Sequence, residues 1–197
     1  MEKGTKYKMK PLEIFNRWFE EELKLSKAQI PTAVCLSTVG KDNHPNARFV
    51  SYKEMIEDSF IITGPLNSRK GTEIGYNDKV SLTFWWTETE RQVRIQGMAT
   101  KLSAQLADKY FKERDRNSQA VSSVCEQGKE IDNLKKLEQK VLEKASKKIN
   151  IERPANWGGF SIKPIRIEFM EFKKSRFHDR KLYEFENDTW SLKQIQP

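Results

Sequence analysis

The stretch KVSLTFWWTETERQVRIQGMATKL, residues 79–102, decides the fold. In its first half Val80, Leu82 and Phe84 alternate with other residues, and in its second half Val93 and Ile95 do the same. An alternation with a period of two places apolar side chains on one face of a β-strand, so residues 79–86 and 91–102 are predicted to be strands. The polar segment TETE between them predicts a hairpin.

The segments on either side of this hairpin carry further strand signals. The additional predicted strands span residues 32–39, 47–55 and 59–63, and the last ones lie between about 158 and 196. A turn rich in Gly, Asp, Asn and Pro covers residues 40–46, and Asn187-Asp188 predicts a second hairpin. Several short antiparallel strands at this spacing favour a β-barrel or a β-sandwich.

Three segments show helical periodicity instead. Residues 11–25 begin with Pro11, which suits the first helical position, and place five apolar residues on a face expected in the core: Leu12, Phe15, Trp18, Phe19 and Leu23. Residues 103–115 begin with Ser103, a candidate N-cap. Residues 128–149 carry one apolar face that includes Ile131, Leu134 and Leu142, which predicts a surface helix packed on the barrel.

Length and composition predict one folded domain over residues 11–197, preceded by a flexible basic leader at residues 1–10. The chain has 197 residues, contains no long apolar run, and does not begin with a secretory signal. Its cysteines, Cys35 and Cys125, are far apart and lack metal-ligand spacing, which predicts reduced thiols, no metal and a cytoplasmic location.

The net charge of +8 is compatible with nucleic acid, an acidic membrane surface or a phosphorylated ligand. A basic barrel that binds nucleic acid would need exposed aromatic residues for base stacking. Most aromatic residues here fall at core spacings. The sequence therefore disfavours a nucleic-acid partner, and the charge alone does not choose between the other two.

The stretch SRFHDR, residues 175–180, contains one of the two histidines of the chain. If it is a strand, Arg176, His178 and Arg180 project from the same face, because residues two apart share a face. Three neighbouring cationic or titratable groups suit a small anionic ligand. The alternative is a strand face that simply contacts water.

Two further motifs suit ligand binding. In LNSRKGTEI, residues 66–74, Ser68, Arg69 and Lys70 open a predicted helix, whose free N–H groups favour a phosphate; the alternative is that Ser68 only caps the helix. In ERQVRIQG, residues 90–97, Gln92, Arg94 and Gln96 share one strand face that could hydrogen-bond a planar heteroaromatic ring; the alternative is an exposed edge strand. 

The stretch YFKERDRNSQ, residues 110–119, places Tyr110 and Arg114 four residues apart on a predicted helix, with Ser118 near its end. A phenol, a guanidinium and a hydroxyl that converge can clamp a phosphate, because arginine matches phosphate oxygens in a bidentate way. The alternative is a solvated helix face. In PANWGGFSI, residues 154–162, Gly158 and Gly159 permit close approach of another backbone.

The order of these motifs resembles the pyridoxamine (pyridoxine) 5′-phosphate oxidase family, FMN-dependent flavoproteins with a split β-barrel fold. The resemblance runs from about Pro11 to Pro197 and is carried by SRKG, ERQVRIQG, YFKERDRNSQ, WGGF and RFHDR. It implies a mainly β fold with flanking helices, of the α+β class, and a homodimer with FMN at the interface. Two departures stand out, Met170 where the family usually has Trp and Gly128 where it usually has Ser.

The resemblance also implies roles for individual residues. The family positions that bind FMN, chiefly its phosphate, match Arg48, Phe49, Val50, Thr63, Ser68, Arg69 and Lys70. Further matches to flavin contacts are Gln92, Gln127, Met170 and Arg180. The family positions that bind the substrate phosphate match Lys53, Tyr110, Arg114 and Ser118. Arg176 and His178 match the pair that lies against the pyridine ring, and they are the candidate catalytic residues.

The activity implied by the resemblance is oxidation of pyridoxine 5′-phosphate or pyridoxamine 5′-phosphate to pyridoxal 5′-phosphate, with oxygen as acceptor and hydrogen peroxide as product. Two alternatives stay open. One is a related FMN-dependent oxidase acting on another ring system, such as a phenazine precursor. The other is a non-catalytic protein that binds FMN or pyridoxal phosphate, suggested by the departures at Met170 and Gly128.

Overall fold

The computed structural model describes residues 10–197, so the predicted leader, apart from Lys10, lies outside the described residues. The helices are α1 (Pro11–Leu25), α2 (Arg69–Tyr76), α3 (Ala104–Lys112), α4 (Arg116–Val124) and α5 (Leu134–Ser146). The strands are β1 (Ala33–Val39), β2 (Pro45–Ile56), β3 (Ser59–Pro65), β4 (Lys79–Trp86), β5 (Arg91–Lys101), β6 (Trp157–Glu171), β7 (Asp179–Glu186) and β8 (Thr189–Ile195).

All strand pairs are antiparallel, and the sheet runs in the order β3-β2-β1-β4-β5-β6-β7-β8. A further pairing of β3 with β6 closes the first six strands into a barrel. The first part of β6 pairs with β3 and its last part with β7, so the β7–β8 hairpin extends beyond the barrel. The predicted barrel is confirmed, and β5 is an interior strand, so the edge-strand alternative is wrong.

Close packing of β3 on β6 depends on a glycine. A Cβ added at Gly159 would lie 2.2 Å from the carbonyl oxygen of Ile62, a distance that no side chain tolerates. The expectation that Gly159 permits close backbone approach is therefore confirmed. At the far end of the sheet, Asn187 and Asp188 both have positive φ, 49° and 58°, which suits the tight turn predicted between β7 and β8.

Helix α1 packs its apolar face against the barrel. Phe15 is fully buried and makes edge-to-face contacts with Phe60 and Phe84 at centroid distances of 4.8 and 5.0 Å. The prediction for Leu23 is wrong, because this residue is exposed and its neighbour Glu22 is buried instead. The Glu22 carboxylate accepts hydrogen bonds from the backbone and hydroxyl of Thr89, so it fastens α1 to the β4–β5 turn.

The helices between β5 and β6 differ from the prediction. Helix α4 was not predicted, because it buries only Ala120 and so carries no helical apolar stripe. Helix α5 begins at Leu134 rather than near residue 128, buries none of its residues, and packs mainly against α4. Ile131 precedes it, and Leu134 and Leu142 are exposed, Leu142 by 67%.

Candidate active site

The start of α2 holds a lysine that the fold partly buries. The Nζ atom of Lys70 donates to the Ser68 hydroxyl at 3.0 Å and to Oε1 of Gln127 at 2.6 Å. Burial, and then the positive charge of Arg48, lower the pKa of Lys70 to about 8. Ser68 occupies the N-cap position but makes no side-chain cap; its hydroxyl donates to the Pro65 carbonyl at 2.7 Å.

Arg48 and Arg69 meet at the buried carboxylate of Glu73, which is 6% exposed. Arg48 donates to this carboxylate at 2.9 Å and Arg69 at 2.8 Å, and Thr38 and Asn46 donate to it at 2.5 and 2.8 Å. Burial raises the pKa of Glu73, but the hydrogen bonds from Thr38, Arg69 and Arg48 outweigh burial and hold the pKa below its usual value. The two arginines are therefore held in place by an ionised carboxylate.

The remaining predicted residues of this region lie on β2 and β3. Thr63 pairs with Gly159, and a Cβ added at its neighbour Gly64 would lie 3.1 Å from Cε of Lys70, so the β3 backbone passes directly beside the lysine. Val50 packs against the core, whereas Phe49 is 74% exposed. The structure thus brings Arg48, Ser68, Lys70 and Gln127 together.

A second group of candidate residues gathers near the end of α3. Tyr110 donates its hydroxyl to Glu54 at 2.7 Å, and burial raises its pKa first, followed by this hydrogen bond. Arg114 donates to the Ser118 carbonyl at 3.4 Å and stacks 5.2 Å from the ring of Trp157. Helix α3 ends at Lys112, so the expectation of one helix carrying both Tyr110 and Arg114 is wrong; Arg114 lies between α3 and α4, and Ser118 lies in α4.

Lys53 on β2 joins this second group. Burial, and then the charge of Arg114, lower the pKa of Lys53, and burial also lowers the pKa of Arg114. No carboxylate in residues 10–197 hydrogen-bonds either cation, and the buried Nε of Arg114 has no partner among these residues. Ser118 interacts with Asp115, since it lowers the pKa of Asp115 through its side chain. Two partly buried cations that hydrogen-bond no carboxylate among the described residues suit an incoming anion.

Gln92, Met170 and Arg180 form a row across three strands. Gln92 on β5 lies opposite Met170 on β6, which in turn lies opposite Arg180 on β7, so their side chains share one face. Arg180 donates to the buried carboxylate of Glu168 at 3.0 and 2.7 Å, and Arg94 reaches the same carboxylate at 3.4 Å. Like Arg48, Arg180 is anchored by a buried carboxylate.

Arg176 and His178 do not lie on a strand, so the predicted alternation of three basic side chains on one strand face is wrong. Strand β7 begins at Asp179, and Arg176 has a φ of 66° in the loop before it. The backbone N–H of Lys173 donates to Nδ1 of His178 at 3.0 Å, and the backbone N–H of Arg176 donates to the carbonyl of Lys173 at 3.0 Å. No hydrogen bond or ion pair between described residues links this loop to either cation group.

Two family models match the chain. Residues 20–147 match the model described as pyridoxamine 5′-phosphate oxidase, and residues 157–197 match the pyridoxine 5′-phosphate oxidase C-terminal dimerisation region. The chain belongs to the pyridoxamine 5′-phosphate oxidase family. All the candidate residues named above lie within these two matches.

Curated relatives of this family match nearly the whole chain. A pyridoxine/pyridoxamine 5′-phosphate oxidase from Trichormus variabilis is 40% identical over 190 residues, which cover 95% of this chain and 88% of the relative. The protein of the same name from Haemophilus influenzae is 39% identical over 95% of this chain and 89% of its own length.

Two solved structures share the fold of this pyridoxamine 5′-phosphate oxidase family member. PhzG from Burkholderia lata 383, solved in complex with tetrahydrophenazine-1-carboxylic acid, has a TM-score of 0.91 and 26% identity, with 98% of this chain and 95% of that chain covered. A pyridoxamine 5′-phosphate oxidase-related, FMN-binding protein from Nostoc punctiforme has a TM-score of 0.79 and 17% identity over 96% of this chain and all of that chain. The second likeness supports the fold alone.

Sequence reasoning about this family member missed the carboxylates that anchor its arginines. Glu73 follows Arg69 by four residues on α2, and this spacing could have predicted their ion pair. The contacts of Glu73 with Arg48 and of Glu168 with Arg180 join distant parts of the chain, so no local pattern indicates them.

None of the helices in residues 10–197 is both long and apolar enough to cross a membrane.

Proposed function

We propose that this chain binds FMN and oxidises pyridoxine 5′-phosphate or pyridoxamine 5′-phosphate to pyridoxal 5′-phosphate, with oxygen as the electron acceptor. The observation that carries the proposal is the group formed by Lys53, Tyr110, Arg114 and Ser118, where burial lowers the pKa of two cations and no carboxylate in residues 10–197 hydrogen-bonds either of them. Such a group fits a phosphate that must be held while another part of the substrate reacts. Curated relatives at about 40% identity carry the name of this activity.

The residues at the start of α2 fit the phosphate of FMN. Lys70 is a partly buried cation whose amine, among the described residues, hydrogen-bonds the neutral side chains of Ser68 and Gln127, and Arg48 adds a second positive charge beside it. A phosphate there offsets the cost of burying the lysine charge. In the proposal Arg48, Thr63, Ser68, Arg69 and Lys70 hold this end of FMN, and Phe49 and Val50 flank it on β2.

The row of Gln92, Met170 and Arg180 suits the flavin ring, together with Gln127. The amide of Gln92 can hydrogen-bond a heteroaromatic edge, and Met170 offers a polarisable apolar contact. FMN held by these residues would supply the redox chemistry, the two-electron oxidation of the exocyclic carbon of the substrate with oxygen as the final acceptor.

The protein's part in the reaction is to bind and orient the substrate. Lys53 and Arg114 hold the phosphate, far from the reacting carbon, and this binding energy fixes the position of the pyridine ring. Arg176 caps the ring and stabilises negative charge on it. His178 accepts the Lys173 N–H at Nδ1, so its neutral ring carries the proton on Nε2 and can donate it to a ring substituent.

We also propose that the active unit is a homodimer with FMN between the two chains, and that residues 11–197 form one domain. The dimerisation region spans residues 157–197 and includes Arg176, His178 and Arg180. Among residues 10–197, the loop residues Arg176 and His178 make no hydrogen bond or ion pair with the cation groups, which is expected if they act across an interface. A cytoplasmic location is part of the proposal and rests on the family.

The test is an assay of purified protein loaded with FMN and mixed with pyridoxine 5′-phosphate in air. Pyridoxal 5′-phosphate and hydrogen peroxide should appear in equal amounts, because each substrate oxidised reduces one oxygen. With pyridoxamine 5′-phosphate, ammonia should appear in the same amount, since water hydrolyses the imine. A bound flavin that stays oxidised with both substrates overturns the proposal.

A second candidate function is oxidation of a phenazine precursor, favoured by the structural likeness to PhzG at a TM-score of 0.91. The same flavin-reduction assay separates the two. Reduction by tetrahydrophenazine-1-carboxylic acid, and not by either pyridine phosphate, would support this second function. The two partly buried cations Lys53 and Arg114, which hydrogen-bond no carboxylate in residues 10–197, favour the phosphorylated substrate.

A further inference from the structure

Three rings on the outer face of the sheet form a continuous chain of contacts. Trp85 on β4 lies edge-to-face with Phe172 at a centroid distance of 5.0 Å and an interplanar angle of 74°. Phe172, just after β6, lies edge-to-face with His178 at 5.0 Å and 65°. Trp85 is 57% exposed and packs on no core cluster, so it buries little apolar surface of its own. The last ring in this row of contacts belongs to His178, a candidate catalytic residue.

Backbone hydrogen bonds tie the same segment together. The N–H of Phe172 donates to the carbonyl of Glu90 at 2.9 Å, which fixes the residue to the β4–β5 turn. The next residue, Lys173, donates its N–H to His178 and accepts from the N–H of Arg176 with its carbonyl. One peptide position therefore orients both Arg176 and His178, and Phe172 determines where that position lies.

The hydrogen bond from Lys173 also selects one tautomer of His178. A backbone N–H can only donate, so Nδ1 must accept and the proton of the neutral ring resides on Nε2. His44, the other histidine of the chain, shows the opposite arrangement, because its Nδ1 faces the carbonyl of Asp42 at 2.9 Å and must donate. The two histidines are thus expected to hold their protons on different nitrogens.

We propose that Phe172, supported by Trp85, is a positioning residue that fixes the ring of His178 in the Nε2–H tautomer for contact with the substrate. Phe172 packs on the imidazole from one side, and the Lys173 N–H restrains its Nδ1. Without the phenyl ring the imidazole gains rotational freedom about its side-chain bonds, and the hydrogen bond to Lys173 loses its geometric support. This inference rests on the proposed function where it is tested by kinetics. The spectroscopic test of the His178 tautomer does not depend on that function.

The kinetic test compares Phe172→Ala with wild type, both loaded with FMN, using pyridoxine 5′-phosphate. An edge-to-face ring contact is worth roughly a three- to tenfold change in an equilibrium or rate, so kcat should fall by about that factor. KM should change less than about twofold, because the phosphate grip does not include Phe172. Phe172→Tyr, which keeps the ring, should restore kcat, and Trp85→Ala should cause a smaller fall.

A double-mutant cycle separates positioning from a general structural effect. If Phe172 acts through His178, then Phe172→Ala should cost little more once His178→Ala is present. Phe185→Ala is the matched control, since Phe185 is also half-buried and pairs with a tryptophan, Trp190, at 5.1 Å. An equal loss of kcat in the wild-type and His178→Ala backgrounds, or an equal loss from Phe185→Ala, would overturn the proposal.

The spectroscopic test needs no catalysis. Long-range ¹H–¹⁵N spectra of the full chain labelled at histidine should show two rings only, His44 and His178. In wild type His178 should show the Nε2–H pattern and His44 the Nδ1–H pattern. Phe172→Ala should convert His178 to a mixture of tautomers and leave His44 unchanged. An unchanged His178 pattern refutes the positioning role, whereas an inactive wild type with the expected spectra refutes only the proposed function.

Discussion

Lys70 offers the sharpest test of the proposed FMN site, because the fold lowers its pKa to about 8. The pKa of Lys70 falls from 10.5 to about 8, first through burial and then through the charge of Arg48. A shift of that size corresponds to roughly 3 kcal/mol of differential cost for the charged form. A phosphate beside the amine would offset this cost, so FMN should bind the protonated form of Lys70 preferentially.

Flavin affinity should consequently depend on pH above neutrality. Between about pH 7 and 7.5 most Lys70 is protonated and the FMN dissociation constant should be nearly flat. Above pH 8 free Lys70 loses its proton, and the dissociation constant should rise by about tenfold between pH 7 and 9. The measurement is a fluorescence titration of flavin-free protein with FMN at a series of pH values and constant ionic strength.

Substitutions at Lys70 separate its titration from other effects of pH. Lys70→Met should weaken FMN about ten- to a hundredfold at pH 7, the range for one charge-assisted hydrogen bond, and should abolish the pH dependence. Lys70→Arg should also give a flat profile, because arginine stays protonated throughout. Lys163→Met, at an exposed lysine of β6, is the control. A wild-type profile that stays flat to pH 9, or an unchanged slope in Lys70→Met, would refute the assignment.

The same pKa shift makes a prediction for stability in the absence of flavin. Between about pH 8 and 10.5 the unfolded chain holds a proton on Lys70 that the folded chain has released. The unfolded state therefore binds more protons, and the stability of wild type relative to Lys70→Met should rise with pH across this window, by about 2 to 3 kcal/mol at pH 10. Urea unfolding at pH 7 and pH 10 measures this difference.

Three further predictions concern the substrate side and the fold. Arg176→Ala should lower kcat far more than FMN retention, and an equal loss of both would contradict its assignment to the substrate. Lys53→Met and Arg114→Met should each raise KM for pyridoxine 5′-phosphate by about tenfold or more and leave oxidation of unphosphorylated pyridoxine unchanged, which steady-state kinetics can check. Gly71→Ala should destabilise the protein by several kcal/mol, because its Cβ would lie 2.1 Å from a backbone carbonyl oxygen, whereas Gly75→Ala on the same helix meets no atom and should be tolerated in a thermal melt.

Period-two alternation predicted the barrel strands well, because each strand buries one face in a single core. Strand β4 has the predicted bounds, and β5 differs only at its end. Helix α4 was missed, because it packs through Ala120 and otherwise presents polar residues. Periodicity predicts that the apolar face of α5 packs on the barrel, yet Leu134 and Leu142 are exposed on the described chain. Periodicity indicates that a face is apolar, but it does not indicate what covers that face.

The sequence indicated residue types for a candidate site, but it did not indicate how these residues are arranged. The loop before β7 looked like a strand because Arg176, His178 and Arg180 alternate, but the positive φ of Arg176 and the turn at Lys173 interrupt the strand. No pattern in the sequence pairs Phe172 with His178, since the contact depends on how the loop folds back. These contacts depend on the conformation of the loop, and the alternation of residue types does not predict that conformation.

The charges of the site divide into two kinds with different consequences for binding. Arg48 and Arg180 form ion pairs with the buried carboxylates of Glu73 and Glu168, so the fold itself keeps them in place. These arginines can shape a ligand site without destabilising the flavin-free protein.

The second kind comprises Lys53, Lys70 and Arg114, whose pKa values are all lowered by burial and which hydrogen-bond to no carboxylate in residues 10–197. Burial disfavours their positive charges, and an anion beside them would offset that cost. Lys70 lies in one group and the other two in a second, which fits two separate phosphates. The free energy of phosphate binding should therefore depend mainly on these three side chains, and less on the arginines that are paired with buried carboxylates.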